Sequence, residues 1–205
     1  MITTVLFDMN DVLCRYDRAA RIARLAEACG QPPAFIETAI WGSGYEDLGD
    51  IGAMDAGAYL KGFAERLGSA LTLAQWTEAL RAAVTPLPEA LALAATTGRA
   101  AQVAVLTNNN LLVKREIDAI FPELRPIFGR NFLVSAEFRA RKPDPEVYRR
   151  CLARLGAAPD ESLFVDDSAK NVAGAERAGL TGHLYLSAGA LAEALKSAGL
   201  MQTGG

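Results

Sequence analysis

Asp8 closes an apolar run, Ile2-Thr3-Thr4-Val5-Leu6-Phe7, and far downstream a second run, Leu163-Phe164-Val165, ends in the pair Asp166-Asp167. A carboxylate at a strand end can bind a hard cation with one oxygen and attack phosphorus with the other. Adjacent carboxylates repel each other unless a cation or a capping role compensates them. Two further segments supply what an anionic ester would need. In Val105-Leu106-Thr107-Asn108-Asn109-Asn110 the Thr107 hydroxyl is followed by backbone amides that would open toward an anion at the start of the next helix. In Arg141-Lys142-Pro143-Asp144-Pro145 the proline after Lys142 favours an extended backbone, which aims the ammonium into the crevice and offsets its negative charge. Magnesium is the natural ion for such a site: oxygen ligands, near-octahedral geometry, retained waters and bridging to phosphate. Each segment alone has a plainer reading as a cap, a turn or a solvated loop. Their order and placement make the set specific.

The elements that must position these residues alternate. Strands are predicted at 2–7, 102–106, 132–134, 163–165 and 183–186, short and apolar as strands covered on both faces should be. Helices are predicted near 88–97, 110–120, 145–155, 169–178 and 188–198. Asp144 can cap the third of these with Pro145 in its first position, and Gly156 and Gly179 are placed to close their helices in the left-handed conformation. Such alternation implies an α/β fold: a Rossmann-like parallel sheet wound on both faces, with ligands at the carboxyl ends of the strands. Residues 17–85 break the pattern. Asp17 starts a helix that ends near Gly30, Pro32-Pro33 precede a helix over 34–41, Asp55 opens one that runs to Gly68, and Thr72 with Gln75 forms a capping box for a fourth that ends near 84. The division expected is an α/β core over 1–16 and 86–205, with a small four-helix cap over 17–85. The last residues, Gln202–Gly205, are expected to fray.

The bulk numbers exclude several classes. A chain of 205 residues with 51% hydrophobic composition can bury a full core. The net charge is −3 and no basic stripe is visible, so no nucleic-acid partner is expected. No apolar stretch approaches the ~18 residues of a membrane span, and the start lacks the basic region and cleavage site of a signal peptide. Cys14, Cys29 and Cys151 are odd in number and scattered, which fits buried thiols in a reducing cytoplasm better than disulfides. The oligomeric state is open.

Taken together, the constellation resembles the haloacid dehalogenase-like hydrolase superfamily over nearly the whole chain, and the helical insertion is similar to that family's C1-type cap. Leu106-Thr107-Asn108-Asn109-Asn110 with Phe121-Pro122-Glu123-Leu124 is similar to the branch of small sugar-phosphate phosphatases, those related to glucose-1-phosphate phosphatase. The resemblance implies that Asp8 is a nucleophile forming an aspartyl phosphate. It implies that Thr107 and the Asn108 amide bind phosphoryl oxygens, and that Lys142 holds Asp8 and the phosphate together. It places magnesium on Asp8, the Asn10 main-chain carbonyl and Asp167, with Asp166 a direct or water-mediated neighbour. The substrate so implied is a small phosphorylated metabolite, with a sugar phosphate as the class that this branch's resemblance points to.

One residue departs from the family pattern. Phosphatases of this kind place an aspartic acid two positions after the nucleophile to protonate the leaving alkoxide and then activate water; here that position is Asn10. A carboxamide cannot exchange a proton at neutral pH, so the chain is expected to be slowed or trapped, general acid–base help being worth ~10²–10⁴ in rate. An engineered replacement, a natural branch that does without the acid, and a silent member are the three readings of Asn10. Two other functions compete with phosphate release. A 2-haloacid dehalogenase would need no metal and typically lacks the acidic pair of Asp166-Asp167, and a silent phosphate-ligand-binding protein has only Asn10 in its favour. His183 and the Gly42-Ser43-Gly44 turn carry no chemistry in this reading. Asp11 serves a turn. Arg15, Trp41, Tyr45, Glu46 and Asp47 are candidates to meet the non-phosphate part of a substrate.

Overall fold

In the computed structural model, which describes residues 1–201, five parallel strands form one sheet. These are β1 (Thr4–Phe7), β4 (Gln102–Thr107), β5 (Phe132–Val134), β6 (Ser162–Asp166) and β7 (Thr181–Leu184), in the spatial order β5-β4-β1-β6-β7. Gln202–Gly205, expected to fray, lie outside the described residues. Strand β1 is central and wholly buried. Its register pairs Phe7 with Val105 on one side and Val165 on the other, so Asp8, one residue on, falls level with Asp166. The parallel register alone therefore brings together two acids that are distant in sequence.

Alternate side chains feed two cores, as the two-residue period of a strand requires. Val5, Phe7, Val103, Val105, Leu163 and Val165 face helices α6 (Pro88–Thr97), α7 (Leu111–Ile120), α8 (Arg125–Phe128) and α11 (Ala188–Ser197). Leu6, Ala104, Leu106 and Phe164 face α9 (Pro145–Leu155) and α10 (Ala169–Arg177). Burying each large apolar side chain contributes roughly 1.5–3 kcal/mol, so both faces anchor the sheet edge on which the site stands. The helix boundaries follow the capping residues: Asp144 accepts the Glu146 amide at 2.9 Å beside Pro145, and Gly156 closes α9 at φ 67°.

Between residues 17 and 83 the chain leaves the sheet and makes only helices. α1 (Arg18–Cys29) is capped by Asp17, α4 (Ala56–Leu67) by Asp55, and α5 (Leu73–Ala82) by the reciprocal Thr72–Gln75 box. The expected helix over 34–41 is instead a short α2 (Pro33–Ile36) that runs into a π-helical turn, Glu37–Gly42. A further helix, α3 (Tyr45–Asp50), follows Gly44. The insertion is entered and left through an antiparallel pair, β2 (Cys14–Tyr16) and β3 (Val84–Pro86). Its core, with Leu25, Ile40, Tyr59, Phe63 and Trp76, is continuous with the sheet core under α7. Among the described residues no helix is long and apolar enough to cross a membrane, and Cys14, Cys29 and Cys151 are all free.

Candidate active site

Asp8 is the first residue beyond β1, and its amide continues the ladder by donating to the Val165 carbonyl at 2.9 Å. Its Oδ1 accepts from the Met9 amide at 2.7 Å and lies 2.7 Å from Lys142 Nζ. The same ammonium donates to Asp166 Oδ2 at 2.6 Å. Lys142 is almost fully buried, its side chain 1% exposed between carboxylates that are 10% and 0% exposed. Burial works against its charge, and Asp8 and Asp166 outweigh that effect, so its pKa is raised. Burial likewise raises Asp8, against the pull of Lys142 and with the repulsion of Asp166.

Lys142 is held by the loops around it. Its amide donates to Asn108 Oδ1 at 2.8 Å, and Asn108 Nδ2 returns a bond to the Lys142 carbonyl at 3.0 Å. This reciprocal pair staples the lysine loop to the turn that follows β4. Gly174 on α10 completes the seat, because a Cβ there would run into the backbone of Pro143. Thr107, at the end of β4, is buried and accepts from Asn109 Nδ2 at 3.0 Å, while Asn110 caps α7 through the amides of Leu112 and Val113. The structure thus brings Asp8, Thr107, Asn108, Lys142, Asp166 and Asp167 to one sheet edge.

The acidic group has an excess of negative charge. Oxygens of Asp8, Asp166 and Asp167 can all lie within 4.8 Å of one another, with one ammonium among them. Asp166 is already engaged: its Oδ1 accepts from the Ser168 amide at 2.8 Å and Asn171 Nδ2 at 3.0 Å, and its Oδ2 takes Lys142. Asp167 is exposed, and burial of part of its carboxyl, together with Asp166 and Asp11, raises its pKa. An all-oxygen donor set with uncompensated charge fits a hard divalent cation such as magnesium. Within that set Asp166 serves the lysine first. Asp11, at φ 57°, accepts the Tyr16 amide and serves the turn.

Above this edge lies a cavity of about 190 Å³ between the sheet and the insertion. Asn10 lines it, with its Oδ1 accepting a weak bond from the Cys14 thiol at 3.7 Å. Trp41, Glu46 and Asp47 line it as expected, whereas Arg15 and Tyr45 do not; the Tyr45 hydroxyl is spent on the Tyr59 carbonyl at 2.7 Å. Sequence reasoning missed Tyr16, Arg18, Arg21, Asp50 and Asn109. A signal existed for two of them: Arg18, Arg21, Ile22 and Leu25 share one face of α1 at helical spacing, so two arginines stand in an apolar stripe. Arg21 is buried among the rings of Trp41, Phe63 and Trp76, at 5.2, 5.8 and 5.6 Å. It lies 3.2 Å from Glu46 without a directed hydrogen bond, and its Nε and Nη2 are left without acceptors. His183 is half-buried away from this region, and burial lowers its pKa.

Comparisons with known proteins agree with this fold. The family described as haloacid dehalogenase-like hydrolase matches residues 2–179. A phosphatase of Mycobacterium tuberculosis is 37% identical over 86 residues, which is 42% of this chain and 39% of that protein. The chain spans less than half the length of each of the first three curated relatives it matches. Among solved structures, a family enzyme of Bacteroides thetaiotaomicron in complex with magnesium and inorganic phosphate superposes with a TM-score of 0.72 at 21% identity, covering 90% of this chain and 94% of that one. An L-2-haloacid dehalogenase of Xanthobacter autotrophicus superposes with a TM-score of 0.63 at 25% identity, covering 96% and 83%.

Proposed function

The chain belongs to the haloacid dehalogenase-like hydrolases, and on that premise we propose that it is a magnesium-dependent phosphatase of a small phosphorylated metabolite. The observation that carries this reading is the buried ammonium of Lys142 set between Asp8 and Asp166, with Asp167 beside them. In this reading 17–85 is a C1-type cap over an α/β core of 1–16 and 86–205, and the cap side of the cavity selects the substrate, a sugar phosphate being one candidate.

Asp8 attacks phosphorus in line and forms an aspartyl phosphate, which water then opens. The Thr107 hydroxyl and the Asn108 amide bind phosphoryl oxygens. Lys142 neutralises the approach of an anionic ester to an acidic site, a stabilisation that grows as charge develops in the transition state. Asp8, Asp167 and the Asn10 main-chain carbonyl would hold magnesium, with Asp166 as its neighbour; the bound ion supplies charge compensation and orients the phosphate. The Asn10 side chain cannot carry the proton that the leaving oxygen needs, so turnover is slow unless another group carries it.

A dehalogenase is the second reading, favoured by the likeness to the Xanthobacter enzyme. Retention of both Asp166 and Asp167 speaks against it, because carbon–halogen cleavage by an aspartate needs no metal. The weak proton chemistry at Asn10 is all that supports a silent phosphate-ligand-binding member. The test is a panel of phosphorylated metabolites and 2-haloacids assayed with magnesium and with chelator. Phosphate release that chelator abolishes is the expected outcome, and chelator-resistant halide release would replace the phosphatase reading. Asn10→Asp should raise phosphate turnover by at least roughly tenfold.

A further inference from the structure

Phosphate ester cleavage needs a proton at the leaving oxygen and a base for the attacking water, and Asn10 supplies neither. The cavity that Asn10 lines has three carboxylates on its α3 wall, Glu46, Asp47 and Asp50, the last of these ending α3. The Asp50 backbone is tied to the phosphate side of the site. Ser135 Oγ donates to the Asp50 carbonyl at 2.7 Å, and the same hydroxyl accepts the Asn109 amide at 3.1 Å, two residues beyond Thr107. Gly52, at φ 67°, lets the chain after α3 press against the Ala136 backbone, where a Cβ would collide. One side chain and one close approach therefore fix Asp50 against the turn that follows β5, and through Ser135 to the loop that follows β4.

The neighbours of Asp50 are already paired. On its own helix Glu46 accepts from the Tyr59 hydroxyl at 2.8 Å and lies beside Arg21, and Asp47 takes Arg141. The other charged groups on the cavity wall are Arg18 and Arg21 from α1, with the Tyr16 phenol from β2. Among the described residues the Asp50 carboxylate makes no hydrogen bond or ion pair. We propose that Asp50 is the proton-transfer residue of the site, a catalytic carboxylate supplied by the insertion in place of the one absent at position 10. This assignment rests on the phosphatase reading and deepens it. As the Asp8–phosphorus bond forms and the ester P–O bond breaks, protonated Asp50 gives its proton to the leaving oxygen. Ionised Asp50 then takes a proton from water as the water–phosphorus bond forms and the Asp8–phosphorus bond breaks, which returns both carboxyls to their starting state.

The electrostatics suit both roles. Burial, Glu46 and Asp47 raise the Asp50 carboxyl, Arg141 and Arg21 oppose them, and the balance lies at about 7. An acid of that strength is populated in both forms near neutrality, which is where a group that must donate and then accept works best.

The test uses the full chain with magnesium and two esters, glycerol 2-phosphate, whose alkoxide needs a proton to leave, and p-nitrophenyl phosphate, whose phenolate does not. Asp50→Asn should lower kcat on glycerol 2-phosphate by ~10²–10⁴-fold. On p-nitrophenyl phosphate it should release one rapid equivalent of nitrophenolate per chain and then stall, because only the second step lacks its base. Adding Asn10→Asp to Asp50→Asn should restore turnover by more than it does in the parent chain. In Asp50→Ala, added formate should recover part of the lost rate, a readout that stands if the asparagine variant misfolds. Parent-like kcat in Asp50→Asn overturns the assignment while leaving the phosphatase reading intact. So does an equal loss on both esters with neither a burst nor rescue by Asn10→Asp or formate. If the parent chain releases phosphate from neither ester nor from any phosphorylated metabolite, the phosphatase reading fails and the assignment with it.

Discussion

Among the described residues two cations are buried, and they are buried differently. Lys142, on the sheet side, is clasped by two carboxylates at 2.7 and 2.6 Å. Arg21, on the insertion side, has one carboxylate at 3.2 Å, three aromatic rings around it and two nitrogens without acceptors. A fully hydrogen-bonded buried charge is fixed in place, and removing either partner strands the other. A guanidinium seated in rings is held by aromatic faces and partial pairing, and leaves donors unmet. The contrast separates a sheet edge whose cation is fully committed from an insertion wall whose cation is only partly paired.

The sharpest way to break that contrast is at the nucleophile. Asp8→Asn should reduce turnover by on the order of 10⁴ or more, measured as phosphate release under saturating substrate. Lys142→Met should come next. It leaves Asp8 and Asp166 buried without their cation, and calorimetry in chelator should show a loss of about 3–5 kcal/mol. Magnesium should restore part of that loss, whereas indifference to the ion would mean that the acidic set does not bind it. Arg21→Met should act on binding instead, with KM rising roughly tenfold while kcat stays near the parent value. A collapse of kcat comparable with that of Asp8→Asn would erase the distinction between the two regions.

The smallest effect concerns pH. The folded-state pKa of Asp50 is raised from 3.8 to about 7, so the folded chain holds that proton longer than the unfolded one. Ionisation then disfavours the fold progressively as pH rises from 3.8 toward 7, and the deficit is constant above that. Asp50→Asn, which cannot ionise, should therefore match the parent near pH 4 and exceed its stability at pH 8 by on the order of 1–3 kcal/mol. Equal gains at both pH values would point to packing rather than charge.

The two regions also differ in how far the sequence exposes them. The strands end in the candidate residues, so Asp8, Thr107 and Asp166 follow from apolar runs and the polar residue that closes each. Helix starts at Asp17, Asp55, Thr72 and Asp144 follow from side chains that bond the next turn. The β2–β3 pair was not legible, because each strand has three residues and its partner lies some seventy positions away. α3 was hidden for a similar reason: Tyr45–Asp50 has six residues, ends beside a glycine and starts after Gly44 without a side-chain cap. Once α3 is missed, Asp50 has no address. Its place in the cavity depends on Ser135 and Gly52, contacts made across 85 and 84 positions of chain, and no local pattern encodes them.

The β2–β3 ribbon has a consequence for how such a molecule can diversify. The chain departs and returns side by side, with the Asp17 amide bonded to the Ala83 carbonyl at 2.8 Å. A segment whose two ends are adjacent can be lengthened, shortened or exchanged without shifting any strand it interrupts. New ligand preferences can therefore be grafted at that doorway while the reacting groups inherit an unchanged foundation.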